Sequence, residues 1–292
     1  MAAIANRTHR AETTIPVYFL LRDATMTLDL MGPAEVLRYA NRIAEREGRA
    51  DFFALRYVSA ADHINTSLGL GLTGFGPLPD SLPPNAMVVL HGCVGSDDDF
   101  SSANDQRAVG WLRAQWQDSH RLLCSCTGAL LAGYAGLLDG RQCTTHHSHC
   151  DALRSIAPRA HVLENRIFVE DRNIYTSAGV TTGIDLALHV VAQIAGHARS
   201  ASIARSLVIY MRRAGSDRLF GDIGKIESMR ADQYRFADRE RFDQVLSAHG
   251  QQAAADESHV AHGVIGKHLA HGIAHQHLDL GRHRLLAEAA AA

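Results

Sequence analysis

No stretch of the chain approaches the roughly 18 uninterrupted apolar residues that a membrane-spanning helix needs, so a helical membrane protein is excluded. Met1 to Thr14 carries charge but no apolar core, so no secretory signal is expected. Lysine is nearly missing, with Lys225 and Lys267 against 27 arginines, and the net charge is −2. The arginine excess reads as genome composition bias, and there is no bulk basicity to hold nucleic acid. Cysteine is sparse and odd in number, five in all. That count without an export signal predicts reduced thiols and a cytoplasmic location, not a disulfide framework. Proline is absent beyond Pro158. What is present, 292 residues with 46% hydrophobic and 21% charged, fits one large α/β domain plus an appendage.

A seam falls near residue 220. Before it, 21 basic residues balance 21 acidic ones; after it, the split is 8 to 10. Eight of the 18 histidines lie after it, in an Ala/Gln/His-rich stretch ending LLAEAAAA. Residues 216–292 therefore read as a divergent His/Ala-rich tail, partly disordered, with no repeat and no recognisable helix-turn-helix.

Before the seam, strand and helix patterns alternate. Apolar, β-branched runs mark strands at Ile15–Leu21, Phe52–Ala60, Ala86–His91 and Arg121–Ser125. Ile64–Leu72 is Gly-rich and extended, and Ile167–Glu170 with Ile174–Ser177 flank a hairpin turn at Asp171-Arg172-Asn173. Helices are expected over Leu28–Glu47 (with Pro33 early, where proline is tolerated), Ala103–Asp118, Thr127–Leu138 (closed by Asp139-Gly140), Thr181–Ala195 and Arg199–Arg213. This alternation predicts an α/β fold, a mostly parallel sheet flanked by helices on both faces, with sites at the carboxyl ends of its strands.

Cys126 stands where an apolar strand meets a helix of small residues, in Ser125-Cys126-Thr127-Gly128-Ala129. A sharp turn there would lift the thiol above the sheet as a nucleophile elbow, and the next helix would aim N–H groups and a positive dipole end at it. Both favour the reactive thiolate. A buried structural cysteine is the competing reading, because the strict G-x-S-x-G pattern is absent.

The segment SCTGALLAGYAGLLDGRQCTTHHSH resembles the elbow region of the ThiJ/PfpI superfamily (class I glutamine amidotransferase-like). The resemblance is strongest to isocyanide hydratases and to the sensor domains of GlxA-type AraC-family transcription regulators. LDLMGPAEVL, VVLHGC, NIYTSAGVTTGIDLAL and ARSLVIYMRRAG agree with further blocks of that family in the same order, over about residues 15–215. The resemblance implies a flavodoxin-like fold of ThiJ/PfpI type for this span and a homodimer. It also implies site roles. Asp29 stands where the family places the acid that meets the elbow thiol, with helix capping as its alternative role. Thr127 follows the nucleophile, as a substrate-orienting hydroxyl or an oxyanion-hole N–H, with N-capping also open. Gly92 and Cys93 stand in the family's Pro-Gly-Gly turn, read here as His91-Gly92-Cys93; cysteine would be strained if that position needs a positive φ. It also brings a second thiol near the elbow, as a redox pair or a plain substitution. Gly128 continues the elbow, and Gly179 and Val180 lie in a loop that borders the family's pocket. Glu35 is a rival acid, expected instead to pair locally on the helix surface.

His146, His147, His149 and Cys150 suggest a metal cluster, yet no second ligand pair follows at zinc spacing. The expectation is no metal and no cofactor, with a structural role for these side chains or a place in the pocket wall, His146 being the ligand-binding candidate. Ile184, Leu188, Val191 and Ala195 form the core stripe of the helix that Thr181 opens, and Asp185 in its first turn favours the helix dipole.

Two functions follow from the resemblance. One is a small-molecule-sensing domain of a GlxA/AraC-type regulator, for a nitrogenous or amino-acid-derived ligand. DNA is a partner only if a helix-turn-helix exists, and a truncated or frameshifted product would explain its absence. The other is a cysteine-dependent, isocyanide hydratase-like enzyme using the Cys126 thiolate with Asp29. A small molecule and a second copy of the chain are the expected partners, and a membrane is not.

Overall fold

A computed structural model describes residues 14–94, 99–209 and 213–218. The tail reading beyond residue 218 lies outside the described residues. In chain order the elements are β1 (Ile15–Leu21), α1 (Thr27–Arg46), β2 (Phe53–Ser59), β3 (Ile64–Asn65), β4 (Gly71–Leu72), β5 (Gly76–Pro77), β6 (Met87–Leu90), α2 (Ala103–Gln115), β7 (Arg121–Ser125) and α3 (Gly128–Tyr134). There follow β8 (Gln142–Cys143), α4 (Cys150–Ile156), β9 (His161–Val162), β10 (Phe168–Asp171), β11 (Ile174–Ser177), α5 (Thr182–Ala195) and α6 (His197–Ser206).

Seven strands form one sheet in the order β10-β11-β7-β6-β1-β2-β5. Only the β10–β11 hairpin is antiparallel, and Arg172 turns it at φ +58°. The mostly parallel α/β architecture is thus as the sequence pattern predicts.

Successive strand residues face opposite sides. Val17, Phe19 and Leu21 of β1 pack with Met87, Val89 and Leu123 beneath α1, α5 and α6. Tyr18 and Leu20 pack with Val88, Leu90, Leu122 and Cys124 beneath α2, α3 and α4. Each fully buried Phe or Leu adds about 1.5–3 kcal/mol. Burial on both faces explains why these strands read as continuous apolar runs.

Several local expectations are corrected. The helix of small residues ends at Tyr134, because Gly136 adopts φ +80° and its N–H bonds back to Gly133 O at 2.8 Å; the stop at Asp139-Gly140 comes too late. Helix α6 ends at Ser206 instead of running to Arg213. Val208 takes φ +56°, and Ile209 N–H closes back on Ala204 O at 2.8 Å, a Schellman-type stop. Pro33 is the seventh residue of α1, not part of its first turn. With no N–H at Pro33, the Asp29 carbonyl loses its helical partner.

Among the described residues, no helix is long and apolar enough to cross a membrane.

A candidate active site at the strand-to-helix elbow

Strand β7 delivers Ser125 to its carboxyl end, and Cys126 then turns sharply at φ +54°. A non-glycine residue rarely adopts this region, and such strain concentrates at functional sites. Three hydrogen bonds hold the turn. Cys126 N–H donates to Ser177 O at 3.1 Å, while Cys126 O accepts from Ala129 N–H at 3.3 Å and from the Thr145 hydroxyl at 2.9 Å. Cys126 is 6% exposed.

Three glycines let the backbone close around it. A Cβ on Gly128 would lie 2.5 Å from Leu90 O, so α3 can start this near β6 only with glycine there. A Cβ on Gly92 would lie 2.7 Å from Asp29 Oδ2 and 3.2 Å from Cys126 Sγ. One on Gly179, at φ +88°, would lie 2.2 Å from Cys126 Cβ and 2.7 Å from Sγ. Gly92 and Gly179 therefore flank the thiol, and the carboxyl faces it over Gly92.

Asp29 makes no side-chain cap bond in α1; its bonds cross the sheet instead. Oδ1 accepts from the Ser125 hydroxyl at 2.8 Å and from Val180 N–H at 2.7 Å. Oδ2 has no partner at normal hydrogen-bond geometry. The carboxyl is fully buried, and desolvation pushes its pKa up. The Ser125 and Val180 bonds, with weaker help from Cys126 and Gly92, pull the other way. Burial wins, so Asp29 keeps a proton more readily than an ordinary aspartate. Glu35 pairs with Arg38 on the exposed helix surface, at 2.7 Å.

Thr127 is the residue before α3, yet it caps nothing. Its hydroxyl accepts from Cys93 N–H at 3.1 Å, bracing the loop after β6. The strain expected at Cys93 does not occur, since neither it nor Gly92 has a positive φ. Residues 92–94 instead run antiparallel to 24–26, through Met26 N–H to Gly92 O at 2.8 Å and Val94 N–H to Ala24 O at 2.9 Å. That alignment leaves the backbone extended, where cysteine is unstrained. Neither Cys93 nor Cys126 is in a disulfide.

His146 lies one residue beyond Thr145. Its ring lies tilted at 43° against that of His147, centroids 4.3 Å apart, and its Nδ1 lies 2.7 Å from Ser148 Oγ. Burial, then His147 and His149, lower its pKa. Among the described residues, no three His, Cys, Asp or Glu side chains are grouped to hold a metal ion. The structure thus brings together Asp29, Gly92, Cys126, Gly179 and Val180, with Cys93 and Thr127 one layer behind. Gly128 faces the β6 backbone, and the His146 ring sits in the histidine group.

One participant, Ser125, and one buried histidine next to the site loop, His91, escape the sequence reading. Ser125 orients Asp29, and strand alternation could have found it, since Ser125 shares the α1 face with Leu123. His91 is buried with Nε2 unpartnered, and burial lowers its pKa to about 4, so it is neutral. Nothing local in His91-Gly92-Cys93 announces that.

The family profile of DJ-1/PfpI matches residues 15–193. The chain belongs to the DJ-1/PfpI family. Among curated DJ-1/PfpI relatives, the HTH-type transcriptional regulator GbdR of Pseudomonas aeruginosa is 32% identical over 197 residues, 66% of this chain and 50% of the regulator. Isonitrile hydratase of Pseudomonas putida is 28% identical over 182 residues, 62% of this chain and 73% of the enzyme. A solved AraC family transcriptional regulator from Pseudomonas putida superposes with a TM-score of 0.53 at 22% identity, over 66% of this chain and 99% of that one, which shows the shared fold. The chain spans half the length of GbdR. This DJ-1/PfpI domain is thus related both to the HTH-type transcriptional regulator GbdR and to isonitrile hydratase.

The raised Asp29 pKa sets a pH signature. The folded state holds this proton to higher pH than the unfolded chain, where the ordinary value is 3.8. Its contribution is therefore full below that value and is lost as pH rises through the folded one. Urea unfolding between about pH 4 and 7 should show this decline in the wild type and a flatter profile in Asp29→Asn. Parallel profiles would show that Asp29 carries no such proton.

Proposed function

We propose that residues 15–215 are the small-molecule-sensing domain of a GlxA/AraC-type transcriptional regulator, with Cys126 and Asp29 at its responsive site. One observation carries this reading. The loop over Cys126 is fastened at one end to the site and at the other to the segment by which the chain leaves the domain. Val180 N–H bonds Asp29. Beside it, Thr181 Oγ1 accepts from Arg213 Nη2 at 2.9 Å, and Asp185 takes Nε at 2.9 Å, Nη2 at 2.6 Å and the Arg213 N–H at 3.2 Å. Asp185 is 6% exposed, and Arg213 is the guanidinium that it meets there, at 2.6 Å. A change at the thiol is therefore one loop away from residues 213–218. DNA contact is not part of this reading for residues 15–215; a homodimer is.

Carbamidomethylation of Cys126 supplies a defined occupant. It should raise hydrogen exchange at 178–182 and at 213–218, the latter by about tenfold. Arg213→Ala should exchange fast at 213–218 with or without the label. Unchanged exchange at 213–218 after labelling would end the sensor reading.

The isonitrile hydratase reading is favoured by one feature, the buried Asp29 carboxyl, its pKa raised by desolvation, facing the thiol over Gly92. In that reaction the Cys126 thiolate attacks the isocyanide carbon, which takes a proton from Asp29. Water then adds across the resulting C=N bond, hydroxyl to carbon and proton to nitrogen; as thiolate leaves, the hydroxyl proton returns to Asp29 and an N-substituted formamide is released. Cyclohexyl isocyanide should then be hydrated by the wild type and not by Cys126→Ala; equal rates remove the enzyme reading.

A further inference from the structure

We infer that Ser125 is a positioning residue: with Ser177 behind it, its hydroxyl fixes which oxygen of Asp29 carries the proton, and so aims that proton at Cys126. The inference rests on Cys126 and Asp29 being the responsive site, and it adds what sets the direction between them. Asp29 Oδ1 accepts twice, from the Ser125 hydroxyl at 2.8 Å and from Val180 N–H at 2.7 Å. In a neutral carboxyl the carbonyl oxygen is the acceptor and the hydroxyl oxygen the donor. The oxygen that takes two donors is therefore the carbonyl, and the proton falls on Oδ2. A Cβ on Gly92 would lie 2.7 Å from Oδ2 and 3.2 Å from Cys126 Sγ, so Oδ2 is the oxygen on the sulfur's side.

The position is built for a hydroxyl. Ser125 is buried at the end of a sheet face that Leu123 and Tyr175 otherwise make up. A hydroxyl there is unfavourable unless it is bonded. Ser177 is its register partner on β11, and the Ser177 hydroxyl donates to Ser125 Oγ at 3.5 Å. That long bond supplies the Ser125 oxygen with a donor and leaves its own hydrogen for Asp29. A Cβ on Gly183 would lie 2.7 Å from Ser125 Oγ, so glycine at that point of α5 leaves the hydroxyl its place.

Four segments face the carboxyl: Ser125 at the end of β7, Cys126 at the elbow, Gly92 after β6 and Val180 after β11. Of these residues, Cys126 alone titrates with Asp29. On α5, which also packs against α1, Asp185 is engaged by Arg213. Burial raises the Asp29 pKa, and the Ser125 bond is the largest influence lowering it. Without that bond the carboxylate form loses support, and the proton is held to higher pH.

The test is carbon NMR titration of the Asp29 carboxyl in the full chain, assigned by its loss in Asp29→Asn, together with infrared difference spectra between low and high pH. Ser125→Ala should move the Asp29 midpoint up by about one pH unit, the effect of one lost hydrogen bond to a charged group. Ser125→Thr keeps the hydroxyl and should stay at the wild-type midpoint. The C=O band of the protonated acid, lowered in the wild type by two donors, should rise in frequency in Ser125→Ala. A midpoint unmoved by Ser125→Ala overturns the proposal, as does an equal shift in Ser125→Thr. A C=O band that Ser125→Ala leaves in place overturns it too, since the proton would then sit on Oδ1. A shifted midpoint without exchange coupling at 213–218 sinks the sensor reading alone, and coupling with an unshifted midpoint sinks this one alone.

Discussion

Gly179→Ala is expected to destabilise the domain by about 3–5 kcal/mol in urea unfolding. Two independent effects combine. The added Cβ would lie 2.2 Å from Cys126 Cβ and 2.6 Å from Cys126 Cα, so backbone must move, not just a side chain. The position also holds φ +88°, which L-residues avoid. Gly48→Ala is the internal control. Gly48 is likewise left-handed, at φ +65°, but nothing lies within 4 Å of its added Cβ. Its cost should be about 1–2 kcal/mol, from conformation alone. Equal losses in the two variants would mean that the packing over Cys126 is looser than the Gly179 contacts indicate.

The five thiols should separate sharply in reactivity. Burial raises the pKa of Cys143 to about 12 and that of Cys124 higher still, and it also raises Cys150. Each of these needs the thiolate to react and seldom forms it. Cys126 instead sits on a turn at the sheet's carboxyl edge. Limiting iodoacetamide followed by mass spectrometry should label Cys126 before Cys124, Cys143 or Cys150, whose thiolates burial suppresses. Labelling of Cys150 or Cys143 ahead of it would show an inert, structural Cys126 and remove both functional readings.

The sheet is legible in the sequence because its strands are buried on both faces, so β1, β6 and β7 appear as plain apolar runs. The elbow is legible because a strand signal runs straight into small residues at Cys126. Helix ends depart from the expected positions where a left-handed residue other than the expected one stops them, Gly136 and Val208 among them. A valine at φ +56° carries no sequence signal, since only its surroundings make it adopt that conformation. Asp29 is found through resemblance, but its geometry depends on Val180, 151 residues away, and on Ser125, 96 away. No local periodicity encodes such contacts.

Val180 has one more consequence. It is β-branched and holds φ +52°, a state worth roughly 1–3 kcal/mol of strain, and a single carboxylate oxygen of Asp29 anchors its amide. The turn beside the sulfur therefore holds strain that the Asp29 bond secures on one side and the Thr181–Arg213 bond on the other. A molecule that draws the carboxylate away frees the peptide to relax, and about 1.4 kcal/mol of released strain multiplies the open population tenfold.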